Sequence, residues 1–114
     1  MIRIIVLCGL TVVGANLASA QNIFGAGTAT CGDWLEYRDQ HLKNYEHQAQ
    51  AWIDGFVSGV NVAMLNGPDI LASRRADGMD WMYEWVDNYC RKRPQDRLVA
   101  ATFALVKDLQ SKAK

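Results

Sequence analysis

The sequence is poor in the residues that most often carry chemistry. In 114 residues there are two histidines and three cysteines, and only two prolines to interrupt helices. His41 and His47 are six apart, which places them on different sides of a helix, and neither belongs to an H-E-x-x-H pair, so the helical zinc motif is excluded. Ser58 lies in Gly55-Phe56-Val57-Ser58-Gly59, which lacks the G-x-S-x-G pattern and sits inside a helical stretch rather than at a strand-to-helix elbow. Acidic and basic side chains balance at 12 each, so no basic surplus supports a nucleic-acid partner. No apolar run reaches the roughly 20 residues that a spanning helix needs. These absences leave the expectation of a non-enzymatic protein with no metal, no cofactor and no nucleic acid. Only an acid-base pair converging from different helices stays open.

The N-terminal twenty residues read as a signal peptide. Met1, Ile2 and Arg3 supply a short positive start, Ile4 to Ala15 an apolar stretch, and Ala18-Ser19-Ala20 a small-residue cleavage motif. Cys8 follows Leu7 rather than a small residue, which argues against a lipoprotein signal and for its loss with the leader. The expectation is an exported protein, periplasmic or secreted, with no membrane attachment after cleavage. The remaining chain is near neutral and long enough for one domain. It keeps only Cys31 and Cys90, and an even count in an oxidising compartment predicts one disulfide. A loop of that length contributes about 4 kcal/mol in the chain-entropy account.

Residues 21–30 are glycine-rich and without period, and are expected to form a flexible N-terminus ahead of a helical domain at 31–114. Thr30-Cys31-Gly32-Asp33 carries the capping-box pattern and predicts a helix start. That helix either ends near Asn44 or bends into the next. From Tyr45 to Met64, Ala49, Trp52, Ile53, Phe56, Val57 and Val60 recur at helical spacing opposite Glu46, Gln50, Asp54 and Ser58, predicting a long amphipathic helix. Gly55 and Gly59 cost this helix about 1 kcal/mol each. The favoured compensation is a neighbouring helix of the same chain packed against them; the alternative is a close approach by a client or second subunit.

Asn66-Gly67-Pro68-Asp69 is a strong stop. Ile70 to Ala76 allows a turn or two, and Arg74 and Arg75 read as solvated charges. Met79 to Arg93 is a second clear helix, with Trp81, Met82, Trp85, Val86, Tyr89 and Cys90 on one face and Asp80, Glu84, Asp87 and Arg91 on the other. Asp87 and Arg91 form an i,i+4 pair in the favourable order. Cys90 thus points inward, where a bond to Cys31 would pin the first helix. Pro94 closes this helix, and Gln95 to Lys112 predicts a last one through Leu98, Ala101, Leu105 and Leu109. The fold class is therefore all-α, a small single-domain bundle of three to four helices with one disulfide.

Four tryptophans, four tyrosines and three phenylalanines are a heavy aromatic load for so short a chain, each ring burying roughly 150–250 Å². Most are expected in the core, with one or two left for a surface. Asp54, Glu84 and Asp87 are expected as solvated charges on polar faces. The candidate apolar binding or dimer surface comprises Trp52, Phe56, Gly55, Gly59, Trp81 and Trp85.

Three short motifs together resemble a known family. Thr30-Cys31-Gly32-Asp33-Trp34-Leu35, Ala51-Trp52-Ile53-Asp54-Gly55-Phe56 and Tyr89-Cys90-Arg91-Lys92-Arg93-Pro94 are similar to the HdeA/HdeB-type periplasmic acid-stress chaperones. The resemblance implies a small exported helical protein with one disulfide. Such proteins dimerise near neutral pH and, in acid, loosen to bind unfolded clients through apolar surface. The charge content agrees, since carboxylates with pKa values near 4 would leave the chain strongly positive below about pH 3. The connection from Leu65 to Gly78 and the tryptophan content depart from that pattern. A weaker resemblance is to Tai-type immunity proteins, which bind and neutralise type VI effectors. Those tend to carry a second disulfide that this chain cannot make. Either way the implied partner is a protein, an unfolded client or a toxin, with a homodimer as a further implied assembly.

Overall fold

The computed structural model describes residues 22–113; the expected leader, its cleavage motif and Cys8 lie outside them. Four α-helices follow in order: α1 (Cys31–Asp39), α2 (Lys43–Ala63), α3 (Asp80–Lys92) and α4 (Leu98–Lys112), with short 3-10 turns at Gly25–Thr28 and Ala72–Arg74. The fold is all-α with the Cys31–Cys90 disulfide formed. Among the described residues the single β-type pairing is an isolated bridge between Thr30 and Arg97.

The start of α1 follows from its sequence. Asp33 N donates to Thr30 Oγ1 at 3.0 Å and Thr30 N donates to Asp33 Oδ2 at 3.0 Å, so two end donors are satisfied reciprocally. Two more find carbonyls across the bundle: Cys31 N donates to Asp96 O at 2.7 Å and Gly32 N to Pro94 O at 3.0 Å. In return Leu98 N donates to Ala29 O at 2.8 Å, so the starts of α1 and α4 cap one another. The end of α1 settles the open choice. His41 takes a left-handed φ of 52° and Leu42 N reaches back to Tyr37 O at 3.0 Å, the six-to-one bond of a Schellman end. The first helix therefore stops and turns a corner into α2.

The core is assembled from one stripe of each helix. Ala49, Ile53 and Val57 of α2 meet Met82, Tyr83, Val86 and Cys90 of α3 and Leu98, Ala101, Leu105, Val106 and Leu109 of α4, with Trp34 of α1 fully buried among them. Burying each valine, leucine, isoleucine or methionine among them contributes about 1.5–3 kcal/mol. Ile70 is the residue of the long connection that enters this core. Its placement depends on Asn61, whose Oδ1 accepts from Ile70 N at 3.0 Å while its Nδ2 donates to Asp69 Oδ1 at 2.9 Å.

The residues preceding α1 correct an expectation. Where a flexible N-terminus was expected over 21–30, the described part folds into the 3-10 turn Gly25–Thr28 and packs on α2 and α4. Trp52 Nε1 donates to Phe24 O at 3.0 Å, and Gly27 is buried beneath the indole. A Cβ on Gly27 would overlap the Cζ2, Cε2 and Cη2 atoms of Trp52. Its glycine thus serves close approach rather than slack.

Candidate functional site

The charged residues of α1, α2 and α3 converge where solvated faces were expected. Asp87 is 7% exposed and Glu46 6%, and Arg38 stands between them. Arg38 Nε donates to Asp87 Oδ1 at 3.1 Å, Nη2 to Asp87 Oδ2 at 2.8 Å, and Nη1 to Glu46 Oε1 at 3.2 Å. Trp34 Nε1 adds a bond to Asp87 Oδ1 at 2.8 Å, and Gln50 and Lys43 complete Glu46 at 3.2 and 3.4 Å. The guanidinium also lies 5.4 Å from the Trp34 ring centroid. The expectation of a solvated Asp87 paired with Arg91 is thus overturned: burial of Trp34 brings its indole N–H to Asp87, and Arg91 instead donates to Asn88 at 3.1 Å.

The chemistry of this cluster is retention of charge inside the fold. Burial works to raise the Glu46 pKa, but the hydrogen bonds and charges of Arg38 and Lys43 together outweigh it and hold the carboxyl below its ordinary value. A second carboxylate behaves oppositely. Asp54 accepts the Tyr83 hydroxyl at 2.9 and 2.8 Å across α2 and α3; desolvation raises its pKa, and the bond from Tyr83 offsets only part of that rise. The same burial and the adjacent carboxylate push the Tyr83 phenol upward. Asp54 is therefore also not the solvated charge expected, whereas Glu84 is exposed as predicted. Each carboxylate of this interior is already engaged by donors of its own chain.

The candidate apolar surface divides in two. On α2, Trp52 stacks on Phe56 at 5.2 Å between centroids, and Phe56 meets the edge of Phe103 from α4 at 5.5 Å. Phe103 is 47% exposed, and Phe24, at the end of the N-terminal segment, 83%. Beside these rings, a Cβ built on Gly55 or Gly59 meets nothing within 4 Å. The favoured intramolecular account of the two glycines is therefore overturned, because no neighbouring helix of the described residues covers them. From Ala51 to Gly67 the only charged side chain is Asp54, and it is turned toward Tyr83.

Trp81 and Trp85 belong elsewhere. With Asp69, Arg74, Asp108 and Lys112 they line a cleft of about 190 Å³ between α3, α4 and the connection that joins α2 to α3. Its charged groups are paired internally. Arg74 lies 4.7 Å over the Trp81 ring and pairs with Asp77 at 3.2 Å, Arg75 pairs with Asp69 at 2.7 Å, Lys112 with Asp108 at 2.8 Å, and Trp81 Nε1 donates to Gly78 O at 2.9 Å. Across the molecule only Trp34 and Tyr83 among the rings are buried; Trp52, Phe56, Trp81, Trp85, Tyr37 and Tyr89 pack at the edge of the core. The expectation that most rings would be core is corrected accordingly, since four short helices have too little interior for them.

No protein-family model, curated protein or solved structure matches the chain. Its site therefore stands on geometry. Arg38 and Phe103 were not among the sequence candidates. The sequence signal for Arg38 is that it is the one basic residue of α1, while nothing in the spacing of α4 sets Phe103 apart as a surface ring.

Proposed function

We propose that this chain is an exported, non-enzymatic protein-binding module of the acid-stress chaperone kind that its motifs resemble, taking unfolded clients on the aromatic face of α2. The observation that carries the reading is that face itself. Trp52, Phe56 and Phe103 form a continuous ring row beside the uncovered Gly55 and Gly59, and the one charge of α2 from Ala51 onward, Asp54, is turned toward Tyr83. Uncharged exposed aromatic surface is where apolar segments gain most on contact. The interior supplies a means of enlarging it in acid. Glu46, held below its ordinary pKa, contributes stability above the unfolded carboxylate value near pH 4, and that contribution is lost as pH falls through the folded value. Loss of the Glu46 charge loosens α2 from α1, while the disulfide keeps α1 on α3.

The test is dye binding and suppression of client aggregation measured together from pH 7 to pH 2. A joint rise below about pH 4, weakened by Phe56→Ser and Phe103→Ser, supports the reading. A flat response from a protein that remains helical would reject it and favour the immunity reading, in which a folded toxin is the partner.

A further inference from the structure

The segment before α1 lies against the Trp52 end of the aromatic face and is held there by little. Residues 22–29 carry no charge, so no ion pair secures them. Gly27 is the buried one among them, and it brings no side chain to the contact. Ala26 adds a methyl group against the core. Thr28 Oγ1 donates to Gly25 O at 2.9 Å and Ala29 N to Ala26 O at 3.1 Å, which closes the turn on itself. Among the described residues, the one hydrogen bond from residues 22–28 to the helices is the 3.0 Å bond that Trp52 Nε1 donates to Phe24 O.

The chain immediately after this segment is anchored. Ala29 O accepts from Leu98 N at 2.8 Å, Thr30 bridges to Arg97, and Thr30 and Asp33 close the capping box. A weakly attached strap thus ends on a firm pivot at Ala29. Docking it also orders Gly25, whose φ is 78°, and Gly27, and glycine loses more backbone freedom on ordering than any other residue. Segments with few buried apolar contacts open locally while the rest stays folded. What the strap covers is one ring. The Cβ position of Gly25 is 3.4 Å from Trp52 Cδ1, and that of Gly27 overlaps the benzo side, so the strap runs along the indole from one end to the other.

On the client-binding reading of that face, we propose that residues 24–28 are an autoinhibitory strap. Docked, they cover the Trp52 end of the Trp52–Phe56–Phe103 row and occupy its indole N–H. Undocked about Ala29, they free both for an uncharged stretch of client, whose backbone carbonyl takes the place of Phe24 O. Strap and client compete for one indole, so the apparent affinity for a client is the intrinsic affinity reduced by the undocked fraction. The strap carries no titratable side chain, and this control therefore acts at neutral pH, apart from the loosening at Glu46.

The experiment pairs NMR hydrogen exchange with client binding at pH 7, on wild type, Gly27→Ala and Gly25→Ala. Gly27→Ala drives a methyl group into the indole, whereas Gly25→Ala strains an exposed residue of positive φ and loads the strap without touching the core. In wild type the Trp52 indole N–H and the Ala29 amide should exchange together, well ahead of the Leu98 amide and with little dependence on urea, the mark of a small local opening. Each variant should remove most of that protection. Each should also tighten binding of reduced and alkylated α-lactalbumin, a permanently unfolded chain, by about tenfold, the gain expected when a state populated at about 10% becomes dominant. Exchange of Trp52 and Ala29 only together with Leu98 would overturn the strap, and so would lost protection with client affinity unchanged. Failure of all three proteins to bind the client at any pH down to 2 would reject client binding on this face and the inhibition with it. That outcome is distinct from a wild type that binds client in acid and is indifferent to both substitutions, which sinks the strap alone.

Discussion

Replacing Arg38 by alanine tests whether the fold depends on its interior charges. The substitution removes the fork on Asp87 and the bond to Glu46 and leaves both carboxylates in place, their side chains 10% and 7% exposed. Removing one partner of a buried ion pair costs about 3–5 kcal/mol. Asp87 keeps the Trp34 indole, and Glu46 keeps Gln50 and Lys43, so the lower end, about 3 kcal/mol, applies. For a domain of this size that corresponds to a fall in Tm of about 12–24 °C. The signature that separates charge from packing is its pH dependence. Glu46 has a folded pKa below its unfolded one, so its stabilisation is present above the unfolded value and disappears as pH falls through the folded value. Urea unfolding of wild type and Arg38→Ala at pH 7 and pH 2 should therefore show a smaller gap in acid than at neutrality. Arg38→Lys, which keeps the charge and loses the planar fork, should fall between. A neutral-pH cost under about 1 kcal/mol, or a gap of equal size at both pH values, would refute the assignment.

Three further outcomes follow from particular contacts. The oxidised protein should exceed a Cys31→Ala/Cys90→Ala variant by about 4 kcal/mol in urea unfolding, because the bond closes a loop across a separation of 59 residues; equal stabilities would deny the bond a structural role. Gly27→Ala should lower stability by about 1–3 kcal/mol through overlap with Trp52, whereas Gly55→Ala and Gly59→Ala should each raise it by about 1 kcal/mol, so a Tm order without this inversion would contradict the packing described. For Asp54, whose folded pKa is raised, the protonated form favours the fold, and stability is lost as pH rises through the folded value; Asp54→Asn should thus gain on wild type as pH rises above about 4, and the opposite slope in urea midpoints would sink the idea.

The helices were legible because their signals are local and repeated. Spacing in Tyr45–Met64 and Met79–Arg93 placed α2 and α3 within two residues at each end, and the Thr30–Asp33 box placed the start of α1. The cysteine count gave the disulfide. Polar residues were less legible, because a helical face says which side a carboxylate occupies and not what stands opposite it. Asp87 lies beside the apolar stripe of α3, and its burial depends on an indole and a guanidinium that are 53 and 49 positions away. Glycine was ambiguous for a related reason: Gly27, in a stretch without period, supports an indole, while Gly55 and Gly59, in a helix, support nothing that the described residues supply. Only the neighbour distinguishes close approach from open space.

The mutual capping of α1 and α4 beside the disulfide makes the bundle mechanically asymmetric. Cys31, Gly32 and Leu98 stitch their amides to carbonyls across the chain at the same end where Cys31 is bonded to Cys90. The far end, where α2 runs out at Ala63 toward exposed Leu65, rests on Ile70, Asn61 and a contact from Gln110 Nε2 to Met64 Sδ at 3.1 Å. Loosening therefore has a pivot. The molecule can splay from its free end while the register of α1, α3 and α4 is kept at the hinge, so closure is a local return rather than a search, and hydrogen exchange should grade from slowest at Cys31 and Leu98 to fastest beyond Val60.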